Sequence, residues 1–137
     1  MKFLFIGLGS IGQRHLKNLH ALGFRDFFSY RTSTEIAPFE TEFGVRRVSS
    51  YDEGLAIPPD VVLISNPSSF HIRDALKAVE AGCHVFVEKP IASSMDGVSN
   101  LVAIARDRER VVFVGYQMRF HPVLAAIKEL IDGGTLG

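Results

Sequence analysis

Short apolar runs alternate with amphipathic stretches along the whole chain. Lys2-Phe3-Leu4-Phe5-Ile6 predicts a first strand, and Gln13 to Leu19 predicts a helix that Gly23 stops. Phe27 to Arg31 predicts a second strand. Thr34 to Phe43 is a weaker helix with Pro38 inside it, Val45 to Val48 a short strand, and Asp52 to Ile57 a short helix ended by Pro58-Pro59. Val61-Val62-Leu63-Ile64 is a buried strand. Ile72, Ala75, Leu76 and Val79 then share one helix face before Gly82. His84 to Val87 is another buried strand, followed by a helix carrying Val98, Leu101, Val102 and Ala105 on its apolar face. Val111 to Val114 predicts the last strand, and a final helix starts near Pro122 and stops at Gly133-Gly134. This alternation predicts an α/β fold: a doubly wound parallel sheet of the Rossmann type, with helices on both faces.

The turn after the first strand narrows the picture. Gly7-Leu8-Gly9-Ser10-Ile11-Gly12 is a G-x-G-x-x-G set between a strand and a helix, the context that makes it a dinucleotide-binding fingerprint. Gly7 serves the tight turn, Gly9 the approach of backbone to pyrophosphate, and Gly12 the packing of helix on strand. Ser10, Ile11 and Gly12 open the helix, whose free N–H groups and positive dipole end suit phosphate. A glycine-rich turn in another α/β protein, a methyltransferase included, is the plainer alternative.

Composition adds limits. A chain of 137 residues, 47% hydrophobic, is the size of one domain with a real core. Net charge is zero, which gives no reason to expect nucleic acid or an acidic membrane surface as a partner. Cys83 is the only cysteine, so no intrachain disulfide forms. No apolar run reaches the roughly 20 residues of a membrane span, and the N-terminal stretch is too short for a signal peptide. A soluble, cytoplasmic protein is expected, with no metal site.

Ligands of an open parallel sheet sit beyond the carboxyl ends of its strands. Three polar clusters fall there: Ser65 to His71, Glu88-Lys89-Pro90, and Tyr116 to His121. Each has a bland reading. Asn66-Pro67-Ser68 serves as a turn with Ser68 as a helix cap, His71 as an exposed first-turn residue, and Glu88 with Lys89 as a solvated pair. Their common edge with the glycine turn favours a site.

These clusters, in their order and spacing, resemble the N-terminal half of the glucose–fructose oxidoreductase / inositol dehydrogenase / MocA family. The resemblance rests on the glycine turn, Asn66-Pro67-Ser68-Ser69-Phe70-His71, Glu88-Lys89-Pro90 and Tyr116-Gln117-Met118-Arg119-Phe120-His121-Pro122, and it covers essentially the whole chain. It implies an enzyme: nicotinamide-dependent oxidation or reduction of a sugar, sugar nucleotide or polyol. It implies Lys89 beside the reacting carbon as the catalytic group, with Arg119 on the substrate side. Glu88 and His71 would line the nicotinamide side, and Ser65, Asn66, Pro67 and Gln117 would face the cofactor. It also implies a cis bond at Lys89–Pro90. Ser68 and Gln117 stand where the family often has Asn. The family's second domain is not represented, so residues 1–121 are expected to be the dinucleotide-binding domain. Residues 122–137 are then a linking helix and the start of a truncated substrate domain, and the chain alone is expected to turn nothing over.

NADP is expected over NAD, though NAD is compatible. The end of the second strand, Ser29-Tyr30-Arg31-Thr32-Ser33, has no acid for a ribose 2′-hydroxyl, whereas Arg31 suits a 2′-phosphate and Thr32 adds a hydroxyl. Asp26 lies at the wrong end of that strand. The alternative function is a stand-alone dinucleotide-binding or redox-sensing module without chemistry of its own, for which Lys89 has no use. Substrate and oligomeric state stay open, a homo-oligomer being compatible.

Overall fold

In the computed structural model, which describes residues 1–33 and 37–135, six parallel strands form one sheet. The strands are β1 (Lys2–Ile6), β2 (Asp26–Tyr30), β3 (Arg46–Arg47), β4 (Val61–Ile64), β5 (His84–Val87) and β6 (Val112–Val114). The helices are α1 (Ser10–Ala21), α2 (Pro38–Glu42), α3 (Tyr51–Ala56), α4 (His71–Glu80), α5 (Val98–Asp107) and α6 (Pro122–Asp132). The strand order is β3-β2-β1-β4-β5-β6, so the order reverses between β1 and β4. Such a switch point opens a crevice at the carboxyl ends of the strands.

Alternation along β1 divides the core in two. Leu4 and Ile6 point to one face, where Val62, Ile64, Ala75, Val79, Val85 and Leu101 pack. Phe3 and Phe5 point to the other, against Leu16, Phe27 and Leu63. The second face is covered by Leu16 and Leu19 of α1 and by Phe39 of α2. Towards β6, Phe86 stacks on a half-exposed Phe113 at 5.6 Å between ring centroids. No residue of α6 is buried, and its Val123, Leu124, Ile127, Leu130 and Ile131 face outward. No helix among the described residues is long and apolar enough to cross a membrane.

Several boundaries differ from the sequence reading. β2 starts one residue earlier and leaves Arg31 beyond the strand end. The helix expected over Thr34–Phe43 is α2 alone; Pro38 opens it, because the first helical position needs no N–H. Residues 34–36 of that stretch, and Leu136-Gly137, lie outside the described residues. β3 keeps only two of its four expected positions, and β6 begins after Val111. α3 starts at Tyr51 because Ser50 caps it, accepting from Glu53 N–H at 3.1 Å. Val102 is exposed; the buried face of α5 is Leu101 and Ala105, with Ile104 beside them. Ser68 caps nothing, since a 3-10 turn, Ser68–Phe70, precedes α4 and uses backbone bonds instead.

Candidate functional site

The glycine turn sits at the switch point. Gly7 has φ +86°, and a Cβ there would stand 3.0 Å from the Asn66 nitrogen on β4's continuation. Gly12 is closed too: a Cβ would meet Ser65 Oγ at 2.7 Å and the Gly7 carbonyl at 2.8 Å. Ser65 Oγ donates to that carbonyl at 2.9 Å, so β1, α1 and the end of β4 lock together. Gly9 differs. A Cβ there would meet nothing within 4 Å, and no side chain caps α1 at this residue. The start of α1 is open at Gly9 and Ser10, both exposed, before the helix closes at Gly12.

On one side of the turn lies a cleft of about 830 Å³ lined by Gly7, Gly9, Arg31, Thr32, Asn66 and Pro67 among others. Arg31 Nη1 lies 3.7 Å from Glu40 Oε2, and Arg47 Nε lies 3.7 Å from Oε1 of the same carboxylate. Glu40 is 1% exposed and also accepts from Ser29 Oγ at 3.2 Å and Ala37 N–H at 2.8 Å. Arg47 donates to the Ser33 carbonyl. The loop 31–33 is thus held from beneath by one buried acid and two guanidiniums. Asp26 pairs with Arg46 at the far end of β2.

On the other side a cleft of about 390 Å³ is lined by Ile11, Ser65, Asn66, His71, Glu88, Lys89 and Gln117. Ser68 and Pro90 complete it, with Lys89 exposed and the Lys89–Pro90 bond cis. His71 is not the exposed residue of the bland reading. It is 2% exposed, and its ring nitrogens lie 2.8 Å from the carbonyl oxygens of Pro90 and Asn66. It borders the cleft with its ring set between the carbonyls of two loops, one of which accepts from the ring N–H of the neutral imidazole. Asn66 behaves similarly: its Nδ2 donates to Asp74 Oδ2 at 2.7 Å, leaving Oδ1 buried without a partner among the described residues. Arg119, in the 3-10 turn Gln117–Phe120, is exposed and lines neither cleft.

Sequence reasoning missed three residues that shape this edge. His15 Nε2 lies 2.7 Å from Glu88 Oε1. Its position three residues after Gly12, one helical turn on, was the available signal. Glu40 was legible only as an N-terminal helix acid. Asp74 is buried; its side chain meets Asn66 and Arg73, and its carbonyl accepts from the Tyr51 hydroxyl at 2.7 Å. Burial, and then the Asp74 charge, push the Tyr51 phenol far above its ordinary value. Burial likewise raises the Cys83 thiol. Among the described residues no three His, Cys, Asp or Glu side chains gather as a metal site.

A dinucleotide fits this arrangement. The two closed glycines fix the turn, the open one leaves room for a pyrophosphate at the helix start, and the clefts extend to either side. Comparison with known proteins agrees. A family model described as an oxidoreductase family with an NAD-binding Rossmann fold, Gfo/Idh/MocA, matches residues 1–116. An inositol 2-dehydrogenase of Ralstonia nicotianae is 34% identical over 143 aligned positions, 96% of this chain and 41% of the relative. A myo-inositol 2-dehydrogenase of Thermotoga maritima is 26% identical, over all of this chain and 42% of its own. The WlbA dehydrogenase of Bordetella pertussis, solved with NADH and UDP-GlcNAcA, superposes with a TM-score of 0.89 at 27% identity. The superposition covers all of this chain and 41% of WlbA. The chain spans between about a quarter and two fifths of the length of the curated relatives it matches, 24% of a D-glucoside 3-dehydrogenase of Escherichia coli and about 40% of the two inositol dehydrogenases.

Proposed function

The chain belongs to the Gfo/Idh/MocA oxidoreductase family with its NAD-binding Rossmann fold, and on that premise we propose that it is the cofactor-binding part of a dehydrogenase acting on a sugar, sugar nucleotide or polyol. The single observation that carries this reading is the open Gly9 between closed Gly7 and Gly12, on the same sheet edge as Lys89. When bound, a nicotinamide cofactor supplies or takes up hydride at its ring. The chain's own part is to bind, orient and move a proton. Ser10, Ile11 and Gly12 offer backbone N–H groups to the pyrophosphate. Ser65, Asn66, Pro67 and Gln117 border its path. Lys89 carries an ammonium into the smaller cleft, where it orients a substrate oxygen and exchanges its proton. Arg119 is the proposed substrate-side residue. Residues 1–121 form the binding domain, and residues 122–137 lead to a substrate domain.

For the adenosine end the proposal is NADP in preference to NAD. Arg31 and Thr32 border that cleft, and the planar guanidinium of Arg31 suits a 2′-phosphate, with the Thr32 hydroxyl beside it.

The test is calorimetric titration of the chain with NADH and NADPH, wild type against Gly9→Val. Binding in wild type and its loss in the variant are expected, and equal affinity in both overturns the reading.

A further inference from the structure

We infer that His15 is a positioning residue for Lys89, acting through the Glu88 carboxylate. The inference rests on the reading that Lys89 works at the reacting centre. Lys89 lies between two residues that are each held by a histidine from a different helix. On its N-terminal side, Glu88 is 9% exposed. Its Oε1 meets His15 Nε2 at 2.7 Å, and its Oε2 accepts from the Lys89 backbone N–H at 3.2 Å. On its C-terminal side, the Pro90 carbonyl oxygen lies 2.8 Å from His71 Nδ1.

The Glu88 side chain stands at the edge of the smaller cleft, and His15 holds it there. The Glu88 backbone N–H donates to the Ile64 carbonyl at 2.9 Å, which fixes the strand end but not the side chain. A Cβ on Gly115 would stand 3.2 Å from Oε1 and 3.1 Å from Phe86, so the glycine there leaves the carboxylate its room and a side chain would press on it. His15 packs edge-on against Phe86, with ring centroids 4.8 Å apart. With the proton on Nε2, His15 donates to a carboxylate, a stronger bond than one between neutral groups. Without it, Glu88 gains rotamer freedom and the Lys89 N–H loses a fixed acceptor. The same helix that begins at the pyrophosphate turn therefore also sets the catalytic turn, one helical turn further along.

The experiment compares His15→Leu, which fills the place beside Phe86 without a donor, with His15→Gln, whose amide still donates. In this chain, amide hydrogen exchange at Lys89 is expected to rise about tenfold in His15→Leu and to stay near wild type in His15→Gln. In the complete enzyme, His15→Leu is expected to lower kcat about tenfold with KM for the cofactor unchanged, and His15→Gln to restore most of it. An unchanged kcat in His15→Leu, while Lys89→Ala is impaired, overturns the positioning role alone. Equal losses in the two His15 variants assign the effect to the ring on Phe86 and also overturn it. Full turnover in Lys89→Ala overturns the reading beneath it, and this inference with it.

Discussion

Ser65 Oγ stands 2.7 Å from where a methyl group on Gly12 would lie, and the Gly7 carbonyl stands at 2.8 Å from the same point. Gly12→Ala is therefore expected to destabilise the chain by about 2 kcal/mol through overpacking. Ser65→Ala in the same molecule recovers only part of the loss, because the Gly7 carbonyl remains. Urea unfolding of the single and double variants measures both numbers.

Glu40 is the anchor of the loop that carries Arg31. Glu40→Ala leaves two guanidiniums facing a site without its carboxylate, at an expected cost of about 3 kcal/mol. Chemical denaturation is the readout, and a loss under 1 kcal/mol, on the order of an exposed pair, removes Glu40 from this role.

Arg31→Ala addresses the choice of cofactor. Wild type is expected to bind NADPH more tightly than NADH at one salt concentration. The substitution weakens NADPH about tenfold and NADH far less. Dissociation constants for both cofactors decide it, and a wild-type preference for NADH overturns the proposed preference.

Lys89→Ala separates chemistry from binding. In the complete enzyme, kcat is expected to fall by roughly 10²–10⁴-fold, the range for loss of a proton-transfer group. The cofactor dissociation constant stays within about twofold of wild type, since the pyrophosphate turn is elsewhere. Single-turnover kinetics and equilibrium titration measure the two effects separately. Unaltered kinetics would remove Lys89 from the reacting centre.

Tyr51 gives the chain an alkaline limit. Its phenol ordinarily ionises at 10.0, and burial followed by the Asp74 charge raise it in the fold. The folded state holds this proton more tightly than the unfolded chain does. Its stabilisation is therefore complete below about pH 10 and is lost as pH climbs towards the folded value. Tyr51→Phe removes the bond to the Asp74 carbonyl, costing about 1 kcal/mol at neutral pH, and flattens the alkaline decline. Denaturant unfolding from neutral pH to about pH 11 tests both parts.

Local physics explains which of these features could be read from the sequence. β4 and β5 appear at their expected residues because buried parallel strands are unbroken apolar runs between turn residues. The fingerprint was legible because its three glycines answer to one turn and one helix start. β3 was harder: at two residues it owes its place to pairing with β2, which no local pattern encodes. The partners of His15 and His71 were hidden for a related reason. His15 and Glu88 lie 73 positions apart, and only the sheet order brings α1 over the end of β5. A histidine in a first helical turn looks the same on paper whether it faces water or, like His71, braces two carbonyl groups. Arg119 shows the converse, since its motif is plain but the described residues bring nothing to meet its side chain.

The missing Cβ of Gly7 sets the spacing between the ends of β1 and β4, with the Asn66 nitrogen 3.0 Å from where it would be. That spacing works as a gauge block. No side chain stands at Gly7 to swing aside or swell, so the two strand ends keep one separation at this point. Discrimination among occupants then falls to the two ends of the crevice, the loop of Arg31 and the turn of Lys89. For an engineer the domain is a fixed jig with exchangeable end stops: new selectivity is cut at residues 31–33 or 88–90, and the saddle between them is left as it is.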